Sequence, residues 1–145
     1  MIVSVHHTAI SVKDMERSLN LYRDLLGMEV EWEMDHRSGK ALSEVVGLAD
    51  ADMRIVMLKG YGHRIELFQY YKPKGTPISP GFMCDPGRMH IAFQVTNIRD
   101  HYRKLKEAGV EFNCPPLEIR PGVWATYFRD PDGVILEFIE YKRDG

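Results

Sequence analysis

Alternating apolar and polar residues open this chain twice in nearly the same way. HTAISV (His7 to Val12) and HIAFQV (His90 to Val95) place His7 on His90, Ala9 on Ala92 and Val12 on Val95, and both read as half-buried strands. A helical stripe follows each. Met15, Leu19, Tyr22 and Leu26 recur at i, i+4, i+7 and i+11 behind a capping Asp14, with Gly27 placed to stop the helix in a left-handed turn. In the second half Asn97 caps, Ile98, Tyr102 and Leu105 form the stripe, and Gly109 stops it. Each stop leads into a strand-like segment, GMEVEW (Gly27 to Trp32) and GVEF (Gly109 to Phe112).

The halves also end alike. Gly62 lies four residues before Glu66 in GHRIELFQY, and Gly133 lies four before Glu137 in GVILEFIEY. MRIVMLK (Met53 to Lys59) pairs with RIELFQYY across Tyr61-Gly62, and WATYFR (Trp124 to Arg129) pairs with VILEFIEY (Val134 to Tyr141) across the Asp132-Gly133 turn. Each half therefore predicts strand, helix and three strands. The fold class is α+β, with module 1 over about residues 1–71, a linker over about 72–87 and module 2 over about 88–145. The Pro- and Gly-rich stretch Tyr71 to Gly87, and a polar loop with one helical turn at His36 to Asp50, are candidate substrate loops.

Composition narrows the function classes. A chain of 145 residues is one domain's worth and can bury a core. A net charge of −2 supplies no basic field for a nucleic-acid backbone. No apolar run approaches the roughly 20 residues of a spanning helix, so neither nucleic acid nor membrane is an expected partner. Met1 leads at once into strand-like sequence without a secretory leader, which predicts a cytoplasmic protein. Cys84 and Cys114 form no C-x-x-C pair and read as reduced structural thiols.

The chemistry lies in the matched positions. Alternation puts Met89, Ile91, Phe93 and Val95 toward the following helix, and His90, Ala92 and Gln94 on the opposite face. If the helix-free faces of the two sheets meet, His7, Glu66, His90 and Glu137 converge. Two neutral imidazoles and two carboxylates carry −2, which one divalent cation cancels. A lone strand histidine is ordinarily structural. His6 and His7 are adjacent, so one of them is no ligand, and His7 is the one in register with His90. A glutamate inside IELF or ILEFIE is less ordinary, because an unpartnered buried carboxylate costs several kcal/mol. Glu140 is expected to face solvent or the helix edge, and His36, His63 and His101 to lie on the surface. Recurrence at four matched positions favours a metal site over four separate structural roles.

HHTAISVKDMERSLNLYRDLLGMEV, HRIELF, MHIAFQVTNIRDHYRKLKEAGVEF and YFRDPDGVILEFIE together resemble the vicinal oxygen chelate superfamily, over nearly the whole chain. That superfamily includes glyoxalase I, methylmalonyl-CoA epimerase, extradiol dioxygenases and the fosfomycin and bleomycin resistance proteins. The resemblance implies paired βαβββ modules forming a cupped mixed sheet around one divalent ion (zinc, nickel, cobalt, manganese or iron) held by His7, Glu66, His90 and Glu137. Glu66 argues against the dioxygenases and the thiol-transferring fosfomycin enzymes, which place a non-ligand there. A dioxygenase would also carry a histidine shortly before Tyr127, and Leu117 to Ala125 contains none.

Glu66 is similar to the glyoxalase I pattern, whereas TPIS (Thr76 to Ser79) and GRMHIAFQV resemble the epimerases. Both activities remove a proton from carbon beside an oxygen that the metal holds. The resemblance thus implies a metal-dependent lyase or isomerase like glyoxalase I (lactoylglutathione lyase), with Glu137 as acid/base and Glu66 as its second. The alternative is epimerisation of an acyl-CoA thioester. A third reading, from another class, is a non-enzymatic drug or metabolite binder, as the bleomycin resistance proteins are. The resemblance further implies a small thiol-linked or thioester substrate and a homodimer. Phe82, Met83, Trp124 and Tyr127 are candidate apolar lining. Lys72, Lys74, Arg88 and Arg120 are candidate anion contacts, with Arg120 in a loop bent by Pro121 and Gly122 beside the cleft.

Overall fold

The computed structural model describes residues 1–78 and 81–142; Ser79 and Pro80 of the expected linker and residues 143–145 lie outside it. Two compact units divide the chain, Met1–Pro77 and Ile78–Gly145. The first contains β1 (Thr8–Ser11), α1 (Met15–Leu19), β2 (Glu29–Ser38), α2 (Lys40–Val46), β3 (Asp52–Gly60) and β4 (His63–Lys72). Its four-stranded sheet runs β1-β4-β3-β2. The second contains β5 (His90–Gln94), α3 (Ile98–Glu107), β6 (Leu117–Arg120), β7 (Val123–Arg129) and β8 (Ile135–Tyr141), ordered β5-β8-β7-β6. In both units the first strand lies parallel to the last and the remaining pairs are antiparallel. The α+β class with two mixed sheets is therefore as expected. Among the described residues no helix is long and apolar enough to cross a membrane.

Apolar stripes build each core where they were expected. Met15, Leu19 and Tyr22 are buried on the side where α1 packs on β4, and Ile98 and Leu105 where α3 packs on β8. The first helix nevertheless changes pitch. After Leu19 it widens into a π-helical segment, Asn20–Leu25, in which the Leu26 amide bonds the Leu21 carbonyl at 2.8 Å. Leu21 thereby joins the buried side, which an α-helical spacing would not give it. Gly27, at φ +79°, ends the helix, and an added Cβ there would sit 2.9 Å from the Tyr61 hydroxyl, which itself donates to the Leu26 carbonyl.

Four local expectations require correction. The polar stretch after β2 holds two helical turns, not one: α2 carries Leu42 and Val46 onto the cluster Ala51, Met53 and Ile55, together with Trp32, Phe68 and Tyr70. GVEF forms a single bridge, Phe112 to Phe128, and the second strand of the second unit is Leu117–Arg120 instead. Pro115 and Pro116 lie between the two, and a residue without an N–H cannot extend a ladder. The β7–β8 connection is longer than Asp132-Gly133. Buried Asp130 organises it, accepting from the amides of Asp132 at 2.9 Å and Val134 at 2.8 Å.

Asn97 is the fourth. It adopts the left-handed conformation, φ 56°, and its side chain makes no cap bond. Glu140 caps α3 from across the sheet, its carboxylate accepting from the amides of Asn97 at 2.7 Å and Ile98 at 3.4 Å. In the first unit Gln69, three residues after Glu66 as Glu140 is after Glu137, accepts from the Met15 amide at 2.7 Å. Replacing Glu140 with alanine leaves those two amides without their acceptor and is expected to cost about 1 kcal/mol, the usual size of a lost N-cap. Urea unfolding measures the loss, and hydrogen exchange should speed up in the first turn of α3.

Candidate functional site

Each sheet has one face toward its helix, α1 or α3, and one away from it. The parallel register pairs Ala9 with Glu66 in the first unit and Ala92 with Glu137 in the second. His7 and His90 each stand two residues before that alanine, so histidine and glutamate share the face away from the helix. The strand ends repeat as well: the Val12 amide donates to the Phe68 carbonyl and the Val95 amide to the Ile139 carbonyl, both at 2.8 Å.

The consequence is the same pair of side chains twice. His7 Nε2 lies 2.9 Å from Glu66 Oε2, and His90 Nε2 lies 3.0 Å from Glu137 Oε2. Glu66 is 8% exposed and Glu137 6%, while about a third of each histidine side chain meets solvent. A buried carboxylate needs a partner, and here an imidazole is that partner on both occasions. Within either unit, among the described residues, no third His, Cys, Asp or Glu joins the pair to make a group of three. The donor chemistry suits a divalent cation: imidazole nitrogens that can be neutral, and carboxylates with lone pairs beyond the one facing the imidazole.

The two pairs differ in what lies beside them. Tyr127 stands directly opposite Glu137 in the β7–β8 ladder, and its ring meets His90 edge to face at 5.2 Å. Burial pushes the Tyr127 phenol up, and the charge of Glu137 and a hydrogen bond to it push it further. At the corresponding place opposite Glu66 stands Met57, fully buried and without a hydrogen-bonding hydrogen. Tyr70, four residues beyond Glu66 on the same strand, is raised by burial and then by the charge of Glu66.

Other expected residues lie elsewhere. Trp124 pairs with Glu140, on the α3 side of the sheet, with the Arg99 guanidinium 4.9 Å and the Lys142 ammonium 4.7 Å from its ring centroid. Arg120 closes the exposed strand β6 rather than sitting in a loop. Its partner Val123 is four residues along β7 from Tyr127, roughly 13 Å at strand spacing. Phe82 is exposed and Met83 half-buried in the turn that precedes β5, with Phe82's amide donating to Asp85. The Arg88 guanidinium lies against Gly81, and Lys72 pairs with Asp50 at 3.4 Å. Gln69 and Glu140 form a second matched polar pair inside apolar strands, each three residues past its glutamate, and the repeat of the sequence is the signal that marks their positions.

A family model for the Glyoxalase/Bleomycin resistance protein/Dioxygenase superfamily matches residues 4–138. The chain belongs to this superfamily. A protein of Synechocystis sp. named a probable lactoylglutathione lyase is 29% identical over 135 residues, covering 92% of each chain. A 2-epi-5-epi-valiolone epimerase of Actinomyces sp. is 29% identical over 145 residues, 94% of this chain and 79% of that one. The crystal structure of a glyoxalase family protein from Bacillus cereus superposes with a TM-score of 0.87 over 99% of this chain and 97% of that one, at 20% identity, a likeness of fold. The family match spans both units, including the two histidine–glutamate pairs.

Proposed function

We propose that this chain is a divalent-metal lyase or isomerase of the glyoxalase I kind, acting on a small thiol-linked carbonyl compound, with His7, Glu66, His90 and Glu137 as one ligand set. The observation that carries this reading is the buried glutamate held by imidazole at the same ladder position in both units. The lactoylglutathione lyase among its relatives supports it. When bound, the ion supplies Lewis acidity, stabilising negative charge as it develops on the substrate oxygen. His7 and His90 contribute neutral nitrogens. Glu66 and Glu137 balance the charge of the ion, and they also move the proton: Glu137 takes it from carbon, and Glu66 is the second acid/base. Their burial keeps bulk water from competing for that proton. We read the protein as a cytoplasmic homodimer.

A second reading keeps the chemistry and changes the destination of the proton. In an epimerase it returns to the carbon it left, and a relative named as an epimerase favours keeping this alternative. Protein purified without chelator is first analysed for metal. It is then incubated in deuterated water with methylglyoxal–glutathione hemithioacetal and, separately, methylmalonyl-CoA, with zinc, nickel, cobalt, manganese or iron added. Deuterium in lactoylglutathione supports the lyase, and deuterium in recovered methylmalonyl-CoA supports the epimerase. If no metal is bound and neither substrate exchanges, both enzyme readings fall and a binding protein remains.

A further inference from the structure

His7 has two ring nitrogens, and the second one is also engaged. Its Nδ1 lies 2.8 Å from Nδ1 of His6, with the rings edge to face at 5.1 Å. Two imidazole nitrogens at that distance share one proton, so one ring donates and the other accepts. The choice decides what Nε2 of His7 can do. With its proton on Nε2, His7 donates to Glu66 and accepts from His6. With its proton on Nδ1, it donates to His6, and Nε2 keeps a lone pair on the side of Glu66 Oε2, 2.9 Å away.

We propose that His6 is a positioning residue that accepts the Nδ1–H of His7 and so fixes the tautomer in which His7 Nε2 can bind a divalent cation. This rests on the reading of His7 and Glu66 as ligands given above. The protons balance without charging either ring: Nε2 of His7 gives its proton to water, and the shared proton crosses from His6 Nδ1 to His7 Nδ1. The exposed ring of His6 then takes a proton on its own Nε2 from water. A neighbour that orients a ligating histidine through its other nitrogen commonly changes metal affinity 10–100-fold when removed. The second unit is built differently, because Met89 stands before His90 where His6 stands before His7. The two histidines of the repeat are therefore inequivalent, and only the first depends on an adjacent ring.

Zinc is the probe. Its affinity is measured by competition with a chromophoric chelator for the wild type, His6→Ala, His6→Asn and Met89→Ala, while long-range proton–nitrogen correlation spectra report the ring tautomers with and without zinc. The expected result is a 10–100-fold loss of affinity in His6→Ala and substantial recovery in His6→Asn, whose amide oxygen can accept the same proton. No change is expected in Met89→Ala. In the zinc-loaded wild type His7 should carry its proton on Nδ1 and His6 on Nε2. His6 is exposed, so its variants should melt as the wild type does. Wild-type affinity in His6→Ala, with His7 in the same tautomer, overturns the proposal. Failure of the wild type to bind zinc removes the ligand reading itself and takes this inference with it, a distinct outcome.

Discussion

Replacing Glu137 with glutamine is expected to lower hemithioacetal turnover by about 10³-fold or more at full metal occupancy, since a positioned general base contributes about 10²–10⁴-fold and a ligand charge is lost as well. The fold should be indifferent to the change. Glutamine has nearly the volume of glutamate, and its amide oxygen can still accept from His90 Nε2, which lies 3.0 Å from Glu137 Oε2, and from the Tyr127 phenol. Stability should therefore shift by no more than about 1 kcal/mol, the scale of one rearranged hydrogen bond. The decisive measurement is kcat with metal content determined on the same sample, beside the melting temperature. A fully loaded, well-folded Glu137→Gln enzyme within about threefold of wild type, far short of a base's usual contribution, would remove Glu137 from the proton transfer. The parallel Glu66→Gln variant separates the two carboxylates, since one faces a phenol and the other a methionine.

How much of this was legible in the sequence depended on the range of the interaction that fixed each feature. Strands and hairpins are set by alternation and by turn residues within a few positions. They were readable: Tyr61-Gly62, with both residues at positive φ, joins β3 to β4 where expected. The histidine–glutamate pairing was readable for another reason. Duplication converts two ambiguous strand histidines into one pattern, and the parallel register then brings each to its glutamate. Features set by distant partners were not. Nothing near Asn97 announces that Glu140, 43 residues away, will satisfy the helix amides, and a hydrophobic stripe does not distinguish i→i+4 from i→i+5 bonding at Leu21. The displacement of β6 past Pro115 and Pro116 was written in the sequence, but the periodicity of GVEF outweighed it. The role of His6 needed ring geometry, because adjacency alone says that one histidine is spare, not that it turns to its neighbour.

The largest effect on stability should come from Phe128→Ala. Phe128 is fully buried, with ring centroids 5.1 Å from Phe112 and 4.6 Å from Phe138, and it pairs with Leu136 in the β7–β8 ladder. Removing the ring takes away its transfer free energy and leaves a cavity between neighbours that only partly collapse, a cost of about 3–5 kcal/mol. Against a typical total of about 5–15 kcal/mol, the unfolding midpoint in urea should fall steeply. Phe128→Leu, which keeps most of the volume, should lose much less. A loss below about 1.5 kcal/mol for alanine, well under the usual range, would mean that the aromatic cluster is not the centre of this core. Alternation adds a functional consequence. Phe128 and Tyr127 are adjacent on β7 and point to opposite faces, so the cavity opens on the α3 side, behind the strand that presents Tyr127 to Glu137. Hydrogen exchange should therefore rise first along β7 and β8, and metal affinity should fall with it even though no ligand was changed.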